Sequence, residues 1–379
     1  MSRISFFLVA ATLVAAAAFS APVRARPVGA QPVGAQPARA PCVLAVARCQ
    51  QWIDLGHGGA RSKVYSSYSL DRPDPRIRRA LIMVHGTLRN ADHYFATANA
   101  AAFLAVAHGD TLVIAPDFAS ASGDCKDLLA PHEVSWSCGG NSWRSGGPAA
   151  SDPGLTSFDF MDAILKRLAD RKRFPNLQVI VVAGHSAGGQ FVNRYEMANQ
   201  VHETLGVPVR YVVANPSSYA WPDAVRPMPT GDAGPSAARE AWSSEIPHTD
   251  YVFGPFDAAK APGFDLWPYG LENRADGAAA KLTADQLRHN LASRPTTYLL
   301  GQVDVLPLGG FDGSPNAMAQ GPTRRARGEA FVKHIEETLA AKPTVMIVPE
   351  CGHNDRCIFT TDAVLPVIFP PEAASDGKR

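Results

Sequence analysis

Short, strongly apolar and often β-branched runs recur along the chain at Ala80–Val84, Thr111–Ala115, Val179–Ala183, Tyr211–Ala214, Thr296–Leu300 and Thr344–Val348. They are apolar at successive positions rather than at alternate ones, which predicts strands buried on both faces, as in a mostly parallel sheet covered by helices. The segments between them carry the helical period. Phe158, Met161, Leu165 and Leu168 share one face behind Thr156, and Asp159, three positions after Thr156, predicts a variant capping box. Phe331, Ile335 and Leu339 repeat every four residues after Pro322 and Thr323, predicting an amphipathic helix between the last two strands. The alternation is that of successive βαβ units.

Two regions break this rhythm. Residues 217–280 are rich in proline and glycine and hold Trp221, Trp242, Tyr251, Phe253, Phe256, Phe264, Trp267 and Tyr269. We expect them to form a cap-like insertion over the strand ends, with most of the aromatic side chains making its small core. At the other extreme, Arg3 precedes an apolar run, Ile4 to Phe19, that ends in the small residues Ser20 and Ala21. That pattern predicts a signal peptide over residues 1–21 and a secreted or periplasmic destination. The run is shorter than the roughly 20 residues of a spanning helix, and no later run approaches that length, so no integral membrane span is expected in the mature chain. Residues 22–41 contain a tandem Pro-Val-Gly-Ala-Gln repeat that cannot bury a core and are expected to be a disordered linker. The folded domain should then cover residues 42–370, with a flexible tail at 371–379.

Composition narrows the function classes. The chain of 379 residues is 46% hydrophobic, enough for a large core. Lysine and arginine total 36 against 35 acidic residues, so no net field favours nucleic acid as a partner. The 6 cysteines fall into local couples, Cys42 with Cys49, Cys125 with Cys138 and Cys351 with Cys357, which predict disulfides in an oxidising compartment. Their spacing lacks a Cys-x-x-Cys pair, and no metal site is expected. Nucleotide and flavin motifs are absent from any suitable context, so no cofactor is implied.

The chemistry is carried by Gly184-His185-Ser186-Ala187-Gly188, which follows one apolar run and precedes a helical pattern containing Phe191, Val192 and Tyr195. A serine so placed sits on a tight strand-to-helix turn, exposed at a helix N-terminus whose dipole favours developing negative charge. A hydroxyl needs a base within hydrogen-bond reach. Of 11 histidines, His353 follows the last predicted strand and lies in a loop that the Cys351–Cys357 bridge would clamp. The group that orients this imidazole should end a strand between the two, which selects Asp304, with Asp312 in reserve. His85-Gly86-Thr87 follows the first of the apolar runs, so the Thr87 and Ala187 amides are the expected oxyanion donors.

Together the Gly184–Gly188 turn, the His85-Gly86 loop, Asp304 and His353 resemble the α/β-hydrolase superfamily over about Arg79 to Pro370. The stretches Ala183–Phe191 and Val213–Ser218 are similar to those of secreted microbial serine hydrolases of the esterase or lipase kind. The resemblance implies an α/β-hydrolase fold and acyl transfer from a small-molecule or polymeric ester; a peptidase or amidase would use the same residues, and a binding protein could keep the fold without the chemistry. The loop of roughly 35 residues between Pro116 and Ser151 is unusually long for a connection in such a domain. Within it Trp143 is a candidate substrate platform or, alternatively, a loop anchor packed on the core. Ser217 and Tyr219, after the fourth run, are further candidate substrate contacts, while Arg324, Arg325 and Arg327 at a helix start are expected to be solvated.

Overall fold

Two strands that the apolar pattern does not flag, β1 (Gln50–Asp54) and β2 (Arg61–Ser66), form a hairpin at one edge of the main sheet. The six apolar runs follow as β3 (Arg79–Val84), β4 (Thr111–Pro116), β5 (Val179–His185), β6 (Val209–Ala214), β9 (Thr296–Gly301) and β10 (Thr344–Val348). Between β6 and β9 lies a separate antiparallel pair, β7 (Val225–Pro229) and β8 (Tyr251–Pro255). The computed structural model describes residues 40–371 apart from 57, 140, 141, 230–250, 275 and 276. The expected signal peptide, almost all of the expected linker, Trp242 and the tail from residue 372 lie outside these. By its contacts the chain divides into Met1–Ala40 and Pro41–Arg379, and the elements named here belong to the second unit.

The main sheet has eight strands in the order β1-β2-β4-β3-β5-β6-β9-β10. From β4 onward neighbours are parallel, and only the β1–β2 and β2–β4 pairings are antiparallel. Because the chain reaches β4 and β5 on opposite sides of β3, the strand order reverses there, which opens a crevice at the carboxyl ends.

The helices are α1 (Ala91–Leu104), α2 (Ser157–Ala169), α3 (Ala187–Ala198), α4 (Ala284–Ser293), α5 (Pro315–Met318), α6 (Arg324–Leu339), α7 (Asp355–Thr360) and α8 (Leu365–Ile368). Alternate residues of each strand feed opposite cores, as the pleat requires. Ile82, Val84, Ile180, Val182 and Val213 pack with α2, α3, α4 and α6. Leu81, Met83, Val181, Ala183 and Val212 pack with α1, α7 and α8. The sheet is thus the middle of three layers. At the start of α2 the Thr156 hydroxyl accepts from the Asp159 amide, and the Asp159 carboxylate accepts from the Thr156 amide at 2.7 Å, completing a capping box.

All six cysteines are paired in the local couples, with Cα–Cα separations of 5.8 Å for Cys42–Cys49, 5.6 Å for Cys125–Cys138 and 5.7 Å for Cys351–Cys357. No helix among the described residues is long and apolar enough to cross a membrane. One expectation is overturned. Arg324, Arg325 and Arg327 are buried, at 1%, 6% and 0% exposure. The first turn of α6 lies beneath the strand ends, where these guanidinium groups donate to main-chain carbonyls of Gly309, Gln302, Gly321, Ser217 and Asp312. Loop carbonyls that no ladder reaches need donors, and arginine supplies five per side chain.

Candidate active site

Ser186 stands between the last residue of β5 and the first of α3, with φ 59° and ψ −118°. Its amide donates to the Ala214 carbonyl at 3.0 Å and its own carbonyl accepts from the Gln190 amide at 3.0 Å, so both sides of the turn are tied down. The turn is packed so closely that a methyl group on Gly188 would fall 2.2 Å from the Val84 carbonyl oxygen. Only glycine fits there. The loop after β3 closes from above, since a methyl built on Gly86 would sit 3.7 Å from Cβ of Ser186.

That loop is fixed by His85, which is fully buried. Its Nε2 accepts from the Phe118 amide at 3.2 Å, so Nδ1 carries the proton and donates to the Gly86 carbonyl at 2.9 Å. Burial first, helped by the Arg89 and Arg144 charges, lowers this imidazole to about 4 and keeps it neutral.

The three side chains singled out from distant parts of the sequence meet here. His353 Nε2 lies 2.9 Å from Ser186 Oγ, and His353 Nδ1 lies 2.8 Å from Asp304 Oδ2. A carboxylate only accepts, so Nδ1 carries the proton and Nε2 faces the serine hydroxyl as an acceptor. Asp304 follows β9 in a turn closed by its own amide on the Gly301 carbonyl at 3.1 Å. Asp312, the reserve, instead accepts from the Tyr269 hydroxyl at 2.8 Å.

Several residues to which the sequence reading gave no part in positioning the three support this arrangement. Arg324 places Nη1 3.5 Å from Asp304 Oδ1, while its Nε donates to Ser217 Oγ at 2.7 Å and its Nη2 to the Gly309 carbonyl at 3.0 Å. Gly309, at φ 58°, backs the imidazole so closely that a methyl there would lie 2.7 Å from His353 Cδ2. Asn215 joins two strand ends, accepting from the Gly301 amide at 2.8 Å and donating to the Gly352 carbonyl at 3.3 Å. The His185 ring lies 4.6 Å from that of His353, centroid to centroid. Burial above all, then the charges of His353, Arg324 and His93, hold His185 well below the usual imidazole range. It therefore stays neutral and adds no charge beside His353. Positive backbone φ at Asn215 and Gly309 was hidden from a reading of motifs; only the quoted stretch Val213–Ser218 pointed toward Asn215.

The proposed substrate contacts fare differently. Trp143 is 1% exposed and packs between His85, Phe118 and Phe191 at centroid distances of 5.0, 5.1 and 6.4 Å. Tyr219 is 0% exposed and stacks on Phe331 at 4.5 Å. Ser217 is buried with its hydroxyl held by Arg324. These three are sealed inside the core and offer no face to a ligand, a correction that follows from their packing. Ala187 opens α3 directly after Ser186, and Thr87 follows Gly86 in the loop after β3.

Residues 81–365 match the sequence profile of the Alpha/beta hydrolase family. Among solved structures, a poly(3-hydroxybutyrate) depolymerase from Bordetella parapertussis is 19% identical, with a TM-score of 0.54 and coverage of 84% of this chain and 92% of that one. Poly(aspartic acid) hydrolase-1 from a Sphingomonas species is 21% identical, with a TM-score of 0.55 and coverage of 84% and 97%. At such identities the likeness is one of fold. No curated protein matches significantly.

Proposed function

The chain belongs to the alpha/beta hydrolase family, and from that premise we propose that it is an exported serine hydrolase that cleaves a carboxylic ester through Ser186, His353 and Asp304. The observation that carries this reading is the unbroken pair of contacts from Ser186 Oγ to His353 Nε2 at 2.9 Å and from His353 Nδ1 to Asp304 Oδ2 at 2.8 Å. In the first half-reaction His353 takes the hydroxyl proton as Ser186 Oγ attacks the carbonyl carbon. Asp304 stabilises the imidazolium that results. The negative charge gathering on the carbonyl oxygen is met by the amides of Thr87 and Ala187, each typically worth about 3 kcal/mol of barrier. His353 returns the proton to the departing alkoxide, leaving an acyl-serine. Water, deprotonated by the same imidazole, then releases the acid. A neutral His185 beside it spares the imidazolium a like charge at contact distance.

Export is supported by the apolar N-terminal run and by three disulfides, which persist in oxidising compartments. Residues 217–280, with the β7–β8 hairpin, are the segment we assign as the cap.

The test is Ser186→Ala. Its turnover of an acyl ester series should fall by about 10⁴-fold or more while its melting temperature stays near that of the parent. A fluorophosphonate probe should label the parent at Ser186 and leave the variant untouched. Near-parental hydrolysis by the variant would sink the assignment. Running peptide amides beside the esters separates an esterase from an amidase built on the same residues.

A further inference from the structure

We infer that the substrate carries a carboxylate close to its scissile carbonyl and that Arg144 recognises it. The inference rests on the hydrolase reading and adds to it the charge class of the substrate.

Arg144 lies in a single helical turn, Trp143–Ser145, of the long loop after β4. Its Nη2 donates to Thr87 Oγ1 at 3.1 Å and its Nη1 to Gln190 Oε1 at 3.2 Å. Thr87 belongs to the loop packed on Ser186, and Gln190 is one turn beyond Ser186 on α3, its amide bonded to the Ser186 carbonyl. The guanidinium thus bridges the two backbone segments that flank the nucleophile.

Both of its partners are neutral. Arg144 Nε has no hydrogen-bond partner, and among the described residues no carboxylate forms an ion pair with this side chain. The surroundings hold further cations. Arg89 lies over the Trp143 ring at 5.3 Å and spends its donors on the carbonyls of Phe118, Ser137 and Cys138. Arg194 shares Ser218 Oγ with Gln190 and keeps Nη1 without a partner. Asp304 is held by His353 and Arg324, while Asp312 accepts from Tyr269 and the Ser314 amide and acts on Arg144 through its charge alone, with no hydrogen bond or ion pair to it. Burial first, and then the neighbouring Arg144 charge, lower Arg194 to about 9 and Arg89 to about 10.

A cation whose hydrogen-bond partners are all neutral is costly in a partly dry site, and a ligand of opposite charge offsets that cost. Arg194 and Arg324 are sealed at 0% and 1% exposure, whereas Arg89 and Arg144 are partly exposed, and of these two Arg144 is the one bonded to the segments beside Ser186. A planar guanidinium offers a carboxylate two parallel charge-assisted bonds, stronger than those it now makes to an amide and a hydroxyl.

The experiment compares p-nitrophenyl hydrogen succinate with p-nitrophenyl butyrate, esters of similar acyl length that differ in charge. We expect the parent enzyme to favour the anionic ester in kcat/KM by at least about tenfold, and this preference to shrink as sodium chloride rises from about 50 mM to about 500 mM. Arg144→Gln should bring the ratio of the two near unity, Arg144→Lys should keep part of it, and Lys172→Gln, which removes an exposed charge on the loop after α2, should leave it unchanged. Binding of both esters to Ser186→Ala protein, read by calorimetry, needs no turnover. Selective binding of the anionic ester that Arg144→Gln abolishes supports the inference even if neither ester is hydrolysed, an outcome that would instead remove the hydrolase reading. Equal binding, no binding, or preference for butyrate in that protein overturns the inference whatever the activity.

Discussion

At the scale of single residues, the nucleophile is held in a conformation that few side chains adopt, with φ 59° and ψ −118° at Ser186. Such backbone strain costs on the order of 1–3 kcal/mol and persists because the neighbouring packing leaves no alternative. This part of the site was legible, because the Gly-x-Ser-x-Gly spacing records how little room the turn has. The imidazole is confined just as tightly by Gly309, yet nothing in the sequence advertises it. We predict that Gly309→Ala, whose methyl would fall 2.7 Å from His353 Cδ2 at a φ of 58°, lowers kcat at least about tenfold by moving the ring, with KM little changed. Steady-state kinetics beside a thermal melt would check this, and a parental kcat in a folded variant would count against it. What remained hidden, from Arg324 at Asp304 to Asn215 between Gly301 and Gly352, consists of contacts between residues from about 20 to 137 positions apart. No local spacing rule encodes them.

At the scale of elements, the strands were legible because burial on both faces demands unbroken apolar runs, and α2 because its box of Thr156 and Asp159 precedes an amphipathic face. Helix α1 was missed for a physical reason: beyond Tyr94 and Phe95 its buried apolar face consists of Ala91, Ala98, Ala101 and Ala102, too small to mark a helical period, while it exposes Phe103 and Leu104. The β1–β2 hairpin was missed because, of its positions, only Ile53 and Val64 are both apolar and buried. The loop carrying His353 joins β10 to α7 and is tied by the Val303 amide on the Cys351 carbonyl at 3.0 Å and by the Cys351–Cys357 bridge. Replacing both cysteines by serine should cost about 2 kcal/mol of stability, the loop-entropy value for so short a ring. It should also lower kcat more than it raises KM, because the base is positioned less often while the substrate pocket is unaltered. Denaturant unfolding and kinetics on the double variant separate the two effects.

At the scale of the whole molecule, a net formal charge of +1 hides a sharp segregation of charge, with arginines gathered beneath the strand ends and a buried acid, Glu196, inside α3. Glu196 accepts from Tyr298 at 2.9 Å, Thr296 at 2.5 Å and Asn193 at 3.1 Å, but burial outweighs these bonds and pushes it from 4.5 up to about 7. Burial moves Asp117 and Asp162 the same way, to about 6. A carboxyl whose folded value lies above its unfolded one binds a proton more tightly in the native state. Its contribution is therefore complete below the unfolded value and is lost as pH rises through the folded value, here between about 4.5 and 7. The molecule should accordingly be less stable at pH 8.5 than at pH 5.5 so far as this group is concerned, by about 2 kcal/mol, the remainder having been lost already between pH 4.5 and 5.5. Glu196→Gln stays uncharged throughout and should flatten that dependence, standing better relative to the parent at the higher pH. Unfolding by urea at the two pH values, parent against variant, measures the difference directly, and an unchanged slope in Glu196→Gln would mean that Asp117, Asp162 or a group outside the core sets the pH response instead.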